Sequence, residues 1–436
     1  MHTLEDLRSG KLSGITRLDL SCGLTEFPRE IFDLADSLQV LNLSNNALDH
    51  LPDDLWRLKR LQALFVSDNR FTELPECLGQ CQQLQIVGFK ANRIAHVPAQ
   101  ALPPRLRWLI LTDNCVPSLP DELGRRPDLQ KLMLAGNRLS SLPASLANCH
   151  RLELIRIAAN RLEELPDWLL KLPALAWLAY AGNPLCPERQ EPAIRQIPWG
   201  HLSVRQRLGE GASGVIQQGV WQTEGDERNV AIKLYKGDVT SDGSPLNEMA
   251  ACIAAGNHPH LIEVLGQITG HPQEQRGLVM QLIAPDFGNL AGPPSLESCT
   301  RDVYTAQTRF TLPVLLRLAR SIASVTAHLH ACGITHGDLY AHNILLQHNG
   351  NSLLGDFGAA SFHPSPAQGM ALERIETRAF GILLGELMAR CEATAEDKPV
   401  MDRLQTLQEQ CMQADTGKRP SLQTVHAQLQ AWDASA

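Results

Sequence analysis

A repeat with a period of 23 residues constrains the first half of this 436-residue chain more than any other feature. Each unit combines alternating leucines, one asparagine and a Leu-Pro pair, as in Leu41, Leu43, Asn46, Leu51 and Pro52. The recurring asparagines are Asn46, Asn69, Asn92, Asn114, Asn137, Asn160 and Asn183, with one spacing of 22. We expect one short strand per unit and an asparagine side chain bonded to backbone where the chain turns. One unit cannot bury its own apolar edge, so the period predicts a stack of about eight units with a continuous core.

This pattern resembles the leucine-rich repeat over roughly residues 15–185. The resemblance implies an α/β solenoid with a concave strand face that binds proteins. Outward strand positions are unusually apolar, which is typical of contact surfaces, and they are Val40, Phe65, Ile86, Trp108, Ile110, Met133, Arg156 and Trp177. We therefore expect a protein partner or substrate on this face. Two alternatives stay open: the side chains dock on the rest of the chain, or they have no specific role.

Composition argues against several classes of function. The net charge of −8 and the pI near 6.0 give no electrostatic footprint for nucleic acid or an anionic membrane. Eleven cysteines without a Cys-x-x-Cys pair indicate reduced thiols, a cytoplasmic compartment and no zinc site. We expect a soluble chain, since no apolar run is long enough to span a membrane and no signal peptide is evident. The oligomeric state is left open.

A second constraint is the stretch from His336 to Gly358. Asp338, Asn343 and Asp356 stand at fixed spacing, and short apolar runs between them flank an Asn-Gly turn. A tight hairpin is expected, which would return Asp356 to the neighbourhood of Asn343. Carboxylate and amide oxygens gathered in this way are the ligands that Mg²⁺ uses when substrate phosphates complete its shell. The stretch therefore predicts phosphoryl transfer, with Mg²⁺ on Asn343 and Asp356.

A nucleotide site for that chemistry is predicted upstream. Three glycines lie between two expected strands, where backbone N–H groups can approach a triphosphate, in the run Gly209, Glu210, Gly211, Ala212, Ser213, Gly214, Val215 and Ile216. Lys233 ends the strand over 230–233, and Glu248 begins a helical run. A Lys233–Glu248 ion pair would hold the lysine on the α- and β-phosphates of ATP. Either residue alone would be read as a solvated surface charge, but together with the glycines they indicate an ATP site.

Residues 201–432 resemble the eukaryotic-type protein kinase domain, which implies a two-lobed α+β fold. By this resemblance Met280 is the gatekeeper and the backbone of Gln281–Ala284, including Leu282, faces adenine, while Ala231 also belongs to the nucleotide site. Asp338 would orient the acceptor hydroxyl and take its proton, with Lys233 and Asn343 completing the catalytic set. Glu376 stands where an aspartate normally bonds to the backbone of the catalytic loop. Arg419 is expected to pair with Glu373.

Departures from the family pattern cluster near Asp338. Gly337 replaces an arginine that binds an activation-loop phosphate, Tyr340 replaces a lysine, and the activation segment is short. The phosphate and metal groups are all kept, which favours an active ATP-dependent protein kinase. The substitutions leave the acceptor type open, and serine or threonine is expected only because it is the commoner acceptor. Two alternatives are a nucleotide-binding pseudokinase scaffold and a small-molecule phosphotransferase, because His-Gly-Asp also resembles aminoglycoside phosphotransferases.

The boundary between the two halves is expected in a proline-rich polar segment. The repeat array is assigned to residues 1–185, a linker to 186–200 and the kinase domain to 201–433. Within the kinase domain the N-lobe would end at about residue 283, where the strand into the hinge finishes. A short helix is expected at Pro192–Gln196.

Overall fold

The computed structural model describes residues 2–186, 194–211, 213–223, 225–237, 240 and 242–432. Contacts divide the chain into two units. One contains the chain up to Ala174 together with Asn183–Leu185, and the other contains Leu175–Gly182 together with the chain from Cys186 onward. The boundaries at 1–185, 186–200 and 201–433 stay predictions, and Ala212, residues 187–193 and residue 433 lie outside the described residues.

The first unit is built on short parallel strands that follow one another in chain order. After helix α1 (Leu4–Arg8) come strands β1 (Arg17–Asp19), β2 (Val40–Asn42), β3 (Ala63–Phe65), β4 (Ile86–Gly88), β5 (Trp108–Ile110), β6 (Lys131–Met133) and β7 (Leu154–Arg156). The register places the central residue of each strand beside that of the next, as in Leu41 beside Leu64. All of these central residues are fully buried. The predicted stack of repeat units with one continuous core is confirmed.

The repeated asparagines bond to backbone as the sequence predicted. Asn137 is representative: its Oδ1 accepts from the Val116 N–H at 3.0 Å, and its Nδ2 donates to the carbonyls of Leu111 at 2.8 Å and Leu134 at 3.0 Å. One amide side chain thus links neighbouring units through groups that would otherwise be buried without partners. A leucine at this position could not form these hydrogen bonds, so each unit requires the asparagine.

The outward strand positions are less exposed than the apolar pattern suggested. Val40, Phe65, Trp108, Ile110 and Met133 are half-buried. Three further outward positions have buried side chains, namely Ile86, Arg156 and Trp177. Trp177 lies in strand β8 (Trp177–Ala179), which belongs to the second unit and is covered by groups of that unit.

A six-stranded sheet and one helix form the first part of the second unit. The elements are β9 (Gln196–Pro198), β10 (Leu202–Glu210), β11 (Gly214–Gln222), β12 (Glu227–Tyr235), α2 (Pro245–Ala255), β13 (Val264–Thr269) and β14 (Gly277–Gln281). Their order in the sheet is β10-β11-β12-β14-β13-β9, antiparallel except for β9 beside β13. The helix expected at Pro192–Gln196 is wrong at Gln196, which begins β9. The reason is that Ile197, 1% exposed, joins the apolar core of this sheet.

Helices dominate the remainder of the second unit. The elements are β15 (Gly288–Asn289), α3 (Leu312–Ala331), β16 (Ile334–Thr335), β17 (Ile344–Leu346), β18 (Ser352–Leu354), β19 (Ser361–Phe362), α4 (Pro366–Met388), α5 (Lys398–Cys411) and α6 (Leu422–Ala431). The antiparallel pair β17–β18 confirms the hairpin predicted around the Asn-Gly turn. Helix α3 presents an apolar face to the core, with Leu315, Leu318, Ile322 and Leu329 fully buried. None of the helices in the described ranges is long and apolar enough to cross a membrane.

Replacing Asn137 by alanine should destabilise the first unit by about 3 kcal/mol, because one buried N–H and two carbonyls lose their partner at about 1–3 kcal/mol each. Urea denaturation of the full chain, followed by circular dichroism, should show a lower midpoint. Arg138→Ala, at the exposed neighbouring position, is the matched control and should leave the midpoint unchanged. Equal midpoints for the two variants would contradict the role assigned to the asparagine.

Candidate active site

The residues expected at the nucleotide lie on three neighbouring strands, β11, β12 and β14. The register pairs Ile216 with Lys233 and Ala231 with Met280. Gly214 begins β11, where a Cβ atom would lie 2.4 Å from a backbone oxygen of β12, so only glycine fits this approach. The same sheet contains Gly209, Glu210, Val215 and Gln281. Gly211, Ser213 and Leu282 lie in the segments that adjoin these strands, while Ala212 is outside the described residues.

Lys233 and Glu248 form a buried ion pair beneath this sheet. Ser244 accepts from the Leu246 N–H and Pro245 occupies the first turn, so α2 begins one turn before the glutamate. The side chains are 13% and 2% exposed and their charged groups are in hydrogen-bond contact. Burial opposes the charge on the lysine, but the carboxylate outweighs it and raises the pKa of Lys233 above its usual value. The lysine is therefore charged and held in one position.

A cavity of about 90 Å³ opens beside this pair. Its walls include Ile216, Lys233, Glu248, Met280, Asp356 and Phe357. This cavity brings together three parts of the chain: the glycine-containing hairpin, the ion pair and the residues after β18. They are separated by up to about 140 positions in the sequence.

The loop between β16 and β17 holds Asp338 and Asn343 together. Asn343 Nδ2 donates to the Asp338 carboxylate at 3.0 Å and to its backbone carbonyl at 2.9 Å. The Gly355 N–H donates to the Asn343 carbonyl at 2.9 Å, and the Gly355 carbonyl lies 2.8 Å from His336 Nε2. These bonds fix Asp356, the next residue, near Asn343, as the hairpin predicted. The His336 ring thus contacts the backbone of the residue before Asp356.

Glu376 on α4 holds the loop between β16 and β17 through its backbone. Its carboxylate accepts from the backbone N–H groups of His336 at 3.1 Å and Gly337 at 2.7 Å, and it lies 2.8 Å from His330 Nε2. Burial alone would raise the pKa of Glu376, but His330 and the loop N–H groups outweigh it and hold the pKa below its usual value. The expectation that a glutamate here bonds to the loop backbone is confirmed.

The ion pair expected between Arg419 and Glu373 is wrong. Arg419 donates to the carbonyls of Gln413 and Arg374, and the Glu373 carboxylate lies 4.0 Å from His330 Nδ1. The guanidinium is fully buried, and carbonyl groups of the surrounding turns supply acceptors.

Asp302 is a site residue that the sequence did not indicate. Its fully buried carboxylate accepts from the His342 N–H at 2.9 Å and lies 2.7 Å from His342 Nδ1. Burial opposes the charge on the ring, but the Asp302 carboxylate outweighs it and raises the pKa of His342. The loop is therefore held from a second side. Asp302 lies in an irregular segment without a periodic pattern, which explains why it was missed.

Tyr304 and Glu386 fasten the segment that carries Asp302. The Tyr304 hydroxyl donates to Glu386 Oε2 at 3.0 Å, and the Arg390 guanidinium lies 3.7 Å from the centre of the tyrosine ring. Burial raises the pKa of Glu386 to about 7; the Asp302 charge acts in the same direction, while the Tyr304 bond opposes it.

The donor set suits a hard divalent cation. Asn343 uses its side-chain nitrogen on Asp338, which leaves its amide oxygen as the available ligand atom. Asp356 accepts from the Gly358 N–H with one carboxylate oxygen, at 3.1 Å. Within the described residues no group of three or more histidine, cysteine, aspartate or glutamate side chains could hold a metal ion. One carboxylate and one amide are the sparse oxygen set that Mg²⁺ accepts when phosphates and water complete its shell.

Comparisons with known proteins agree with this geometry. Residues 202–399 match the family described as protein tyrosine and serine/threonine kinase, and residues 13–71 match the leucine rich repeat. The chain therefore contains a leucine-rich repeat region followed by a protein kinase domain, which confirms the fold class expected from the sequence. Protein kinase domains in general use ATP with a divalent metal ion.

The relatives that match the chain include proteins named as serine/threonine kinases and proteins named as tyrosine kinases. It is 28% identical over 163 residues to cyclin-dependent kinase 11.1 of Caenorhabditis elegans, covering 37% of this chain and 21% of that one. It is 29% identical over 183 residues to non-receptor tyrosine-protein kinase TNK1 of Mus musculus, covering 40% and 26%. It is 26% identical over 162 residues to serine/threonine-protein kinase PITSLRE of Drosophila melanogaster, covering 37% and 16%. The chain thus spans about a quarter or less of these relatives.

Glu386 should leave a pH signature in folding stability. The unfolded chain loses this proton near pH 4.5 but the folded chain only near pH 7, so the unfolding free energy falls as the pH rises through that window. Glu386→Gln cannot ionise and keeps an acceptor for Tyr304. Its stability relative to wild type should therefore grow between pH 5 and pH 8, by up to about 3 kcal/mol at 1.36 kcal/mol per pKa unit.

The measurement is urea unfolding of both proteins at pH 5, 6.5 and 8. The exposed Glu396→Gln is the matched control and should show a constant difference from wild type. A constant difference for Glu386→Gln would contradict the raised pKa.

Proposed function

We propose that this protein is an active ATP-dependent protein kinase that transfers the γ-phosphate to a serine or threonine hydroxyl. The observation that carries the proposal is the formed Lys233–Glu248 pair, which lines the same cavity as Asp356. A charged lysine held there by a buried carboxylate is suited to bind the α- and β-phosphates. A pseudokinase scaffold would have no need for this pair together with the Asp338–Asn343 bond.

Transfer would proceed by positioning and by stabilisation of charge. Asp338 is half-buried, and its carboxylate would accept the proton of an acceptor hydroxyl. A bond forms from the acceptor oxygen to the γ-phosphorus while the bond to the β,γ-bridging oxygen breaks, leaving ADP. Asn343 orients the Asp338 carboxylate through its amide nitrogen. Backbone N–H groups between β10 and β11 would hold the triphosphate.

Asn343 and Asp356 would hold Mg²⁺, which when bound neutralises phosphate charge and orients the transferred group. The protein's own part is to present two oxygen ligands from elements that are already hydrogen-bonded to each other. Serine or threonine as acceptor is the hypothesis we adopt, and phosphoamino-acid analysis of the product decides it against tyrosine. A reducing, cytoplasmic compartment is proposed because all eleven cysteines are free thiols.

Lys233→Met and Asp356→Asn should each lower transfer of labelled phosphate from ATP by at least about a hundredfold, because each removes a charge that holds the reacting groups in place. The assay uses the full chain with Mg²⁺ and follows autophosphorylation and casein labelling. Lys398→Met and Asp402→Asn, both exposed and far from the site in sequence, are matched controls that should retain wild-type activity. Equal labelling in all five proteins would refute the proposal.

We further propose that the repeats recruit a protein substrate through an apolar row formed by Val40, Phe65, Trp108, Ile110 and Met133. These side chains are half-buried, so part of each apolar surface still faces solvent. Contacts within the row fix its shape: Trp108 Nε1 lies 3.2 Å from Met133 Sδ, and Lys131 Nζ lies 4.1 Å from the centre of the Trp108 ring. A rigid aromatic surface of this kind is typical of protein-binding sites.

Phe65→Asp or Ile110→Asp should lower labelling of other proteins in a cell extract by about tenfold or more, since a charge in an apolar contact costs about 2 kcal/mol. Autophosphorylation should not change, which separates recruitment from catalysis. Trp56→Asp is the control, because Trp56 is 49% exposed but lies in a connecting turn outside the row. If both variants label proteins in the extract as strongly as wild type, the row does not recruit substrates.

A further inference from the structure

The segment Leu175–Gly182 carries the last repeat strand, β8, but its contacts group it with the second unit. We propose that this segment, called here the clamp, positions the catalytic loop for phosphoryl transfer. It would hold Gly337–Tyr340 and β19 (Ser361–Phe362) in the arrangement that catalysis requires. The inference rests on the proposed kinase function and extends it, because it makes a piece of repeat sequence part of the catalytic unit.

Trp177 connects the clamp to the residues that follow Asp338. Its side chain is 1% exposed, and its indole Nε1 donates to the Leu339 carbonyl at 3.1 Å. The indole stacks on the Tyr340 ring with centroids 4.2 Å apart and planes 7° apart. The Arg301 guanidinium lies 5.6 Å from the centre of the indole. Stacking and a buried hydrogen bond together fix the loop directly after the proposed catalytic aspartate.

The clamp backbone also explains the glycine before Asp338. Gly337 has a φ of +73°, and a Cβ atom there would lie 2.6 Å from the Ala359 carbonyl oxygen and 2.8 Å from the Leu178 carbonyl oxygen. Both neighbours are backbone, which cannot swing aside, and the backbone conformation itself disfavours other residues. The space that a side chain at this position would need is therefore taken by two carbonyl groups, of which that of Leu178 belongs to the clamp.

On its other side the clamp binds the strand that follows Asp356. The N–H groups of Tyr180 and Ala181 both donate to Ser361 Oγ at 3.1 Å, and the Tyr180 hydroxyl donates to the Phe362 carbonyl at 3.1 Å. Ser361 and Tyr180 are fully buried. Strand β19 pairs in turn with β16, which leads into the catalytic loop. The clamp thus contacts both the loop that follows Asp338 and the strand that follows Asp356.

The surrounding geometry indicates that the clamp supports catalysis and does not block it. With the clamp in contact, the Lys233–Glu248 pair is formed and Asn343 bonds to the Asp338 carboxylate. Asp338 is only half-buried, although Gly337, Leu339 and Tyr340 on either side of it are buried. The clamp therefore covers the residues on either side of Asp338 more completely than Asp338 itself.

The test compares kcat and the KM for ATP in full-length variants, with casein as acceptor. Trp177→Ala should lower kcat by about tenfold or more with the KM for ATP changed less than about twofold, because displacing a catalytic group by an ångström costs up to about a hundredfold. Trp177→Phe keeps an aromatic face for Tyr340 and should recover most of the loss. Ser361→Ala removes the acceptor of two N–H groups and should behave like Trp177→Ala, whereas Ser361→Thr keeps the hydroxyl and should not.

Hydrogen–deuterium exchange adds a readout that does not depend on turnover. Amides of residues 336–343 should exchange faster in Trp177→Ala than in wild type, while those of α3 should not change. Unchanged kcat in both Trp177→Ala and Ser361→Ala would overturn the clamp, and so would a rise in kcat, which would identify an inhibitory contact. A wild-type chain no more active than Lys233→Met would instead overturn the proposed function and, with it, the catalytic role of the clamp.

Discussion

The Glu376 carboxylate is 2% exposed, and a charge in such surroundings costs several kcal/mol unless donors replace the lost hydration. His330 and the N–H groups of His336 and Gly337 provide those donors. Because two of the donors belong to the catalytic loop, the loop cannot move away without leaving both the carboxylate and its own amides unpaired. Asp338 follows immediately and takes a fixed position relative to helix α4. The geometry of the site thus depends on a buried charge that takes no part in the chemistry.

Sequence alone predicted the features whose signals are local or regularly repeated. The period of the asparagines was sufficient for the repeat stack, and the Asn-Gly turn was sufficient for the hairpin that returns Asp356 to Asn343. Features made by distant contacts were missed or wrong. Asp302 contacts a residue 40 positions away, and the Trp177 indole bonds to a carbonyl 162 positions away. No local pattern shows which of the two outward tryptophans, Trp108 or Trp177, will contact the catalytic loop. The prediction for Arg419 was wrong for a related reason, because a buried guanidinium can donate to any well-placed carbonyl and does not require a carboxylate.

The unusual residues of the catalytic loop, Gly337 and Tyr340, each contact a residue of the clamp. Read in sequence, Gly337 and Tyr340 are losses relative to the family pattern, since an arginine and a lysine are missing. In the structure each has a counterpart in Leu175–Gly182: the Leu178 carbonyl stands against Gly337, and the Trp177 ring lies on Tyr340. Replacing only one side of such a match would leave either a clash or a hole. Gly337 and Tyr340 are therefore better understood together with the clamp, whose contacts hold the loop in place of the missing arginine and lysine.

The two ways of holding the loop differ in what can release them. A phosphate bound by arginine depends on a modification that can be added and removed, and on charges that salt screens. Stacked aromatic rings and buried backbone hydrogen bonds respond to neither. On the clamp proposal, the position of the loop would therefore depend on neither modification nor salt. The Lys233–Glu248 pair, in turn, depends on the position of helix α2, because Glu248 lies in the first turn of that helix.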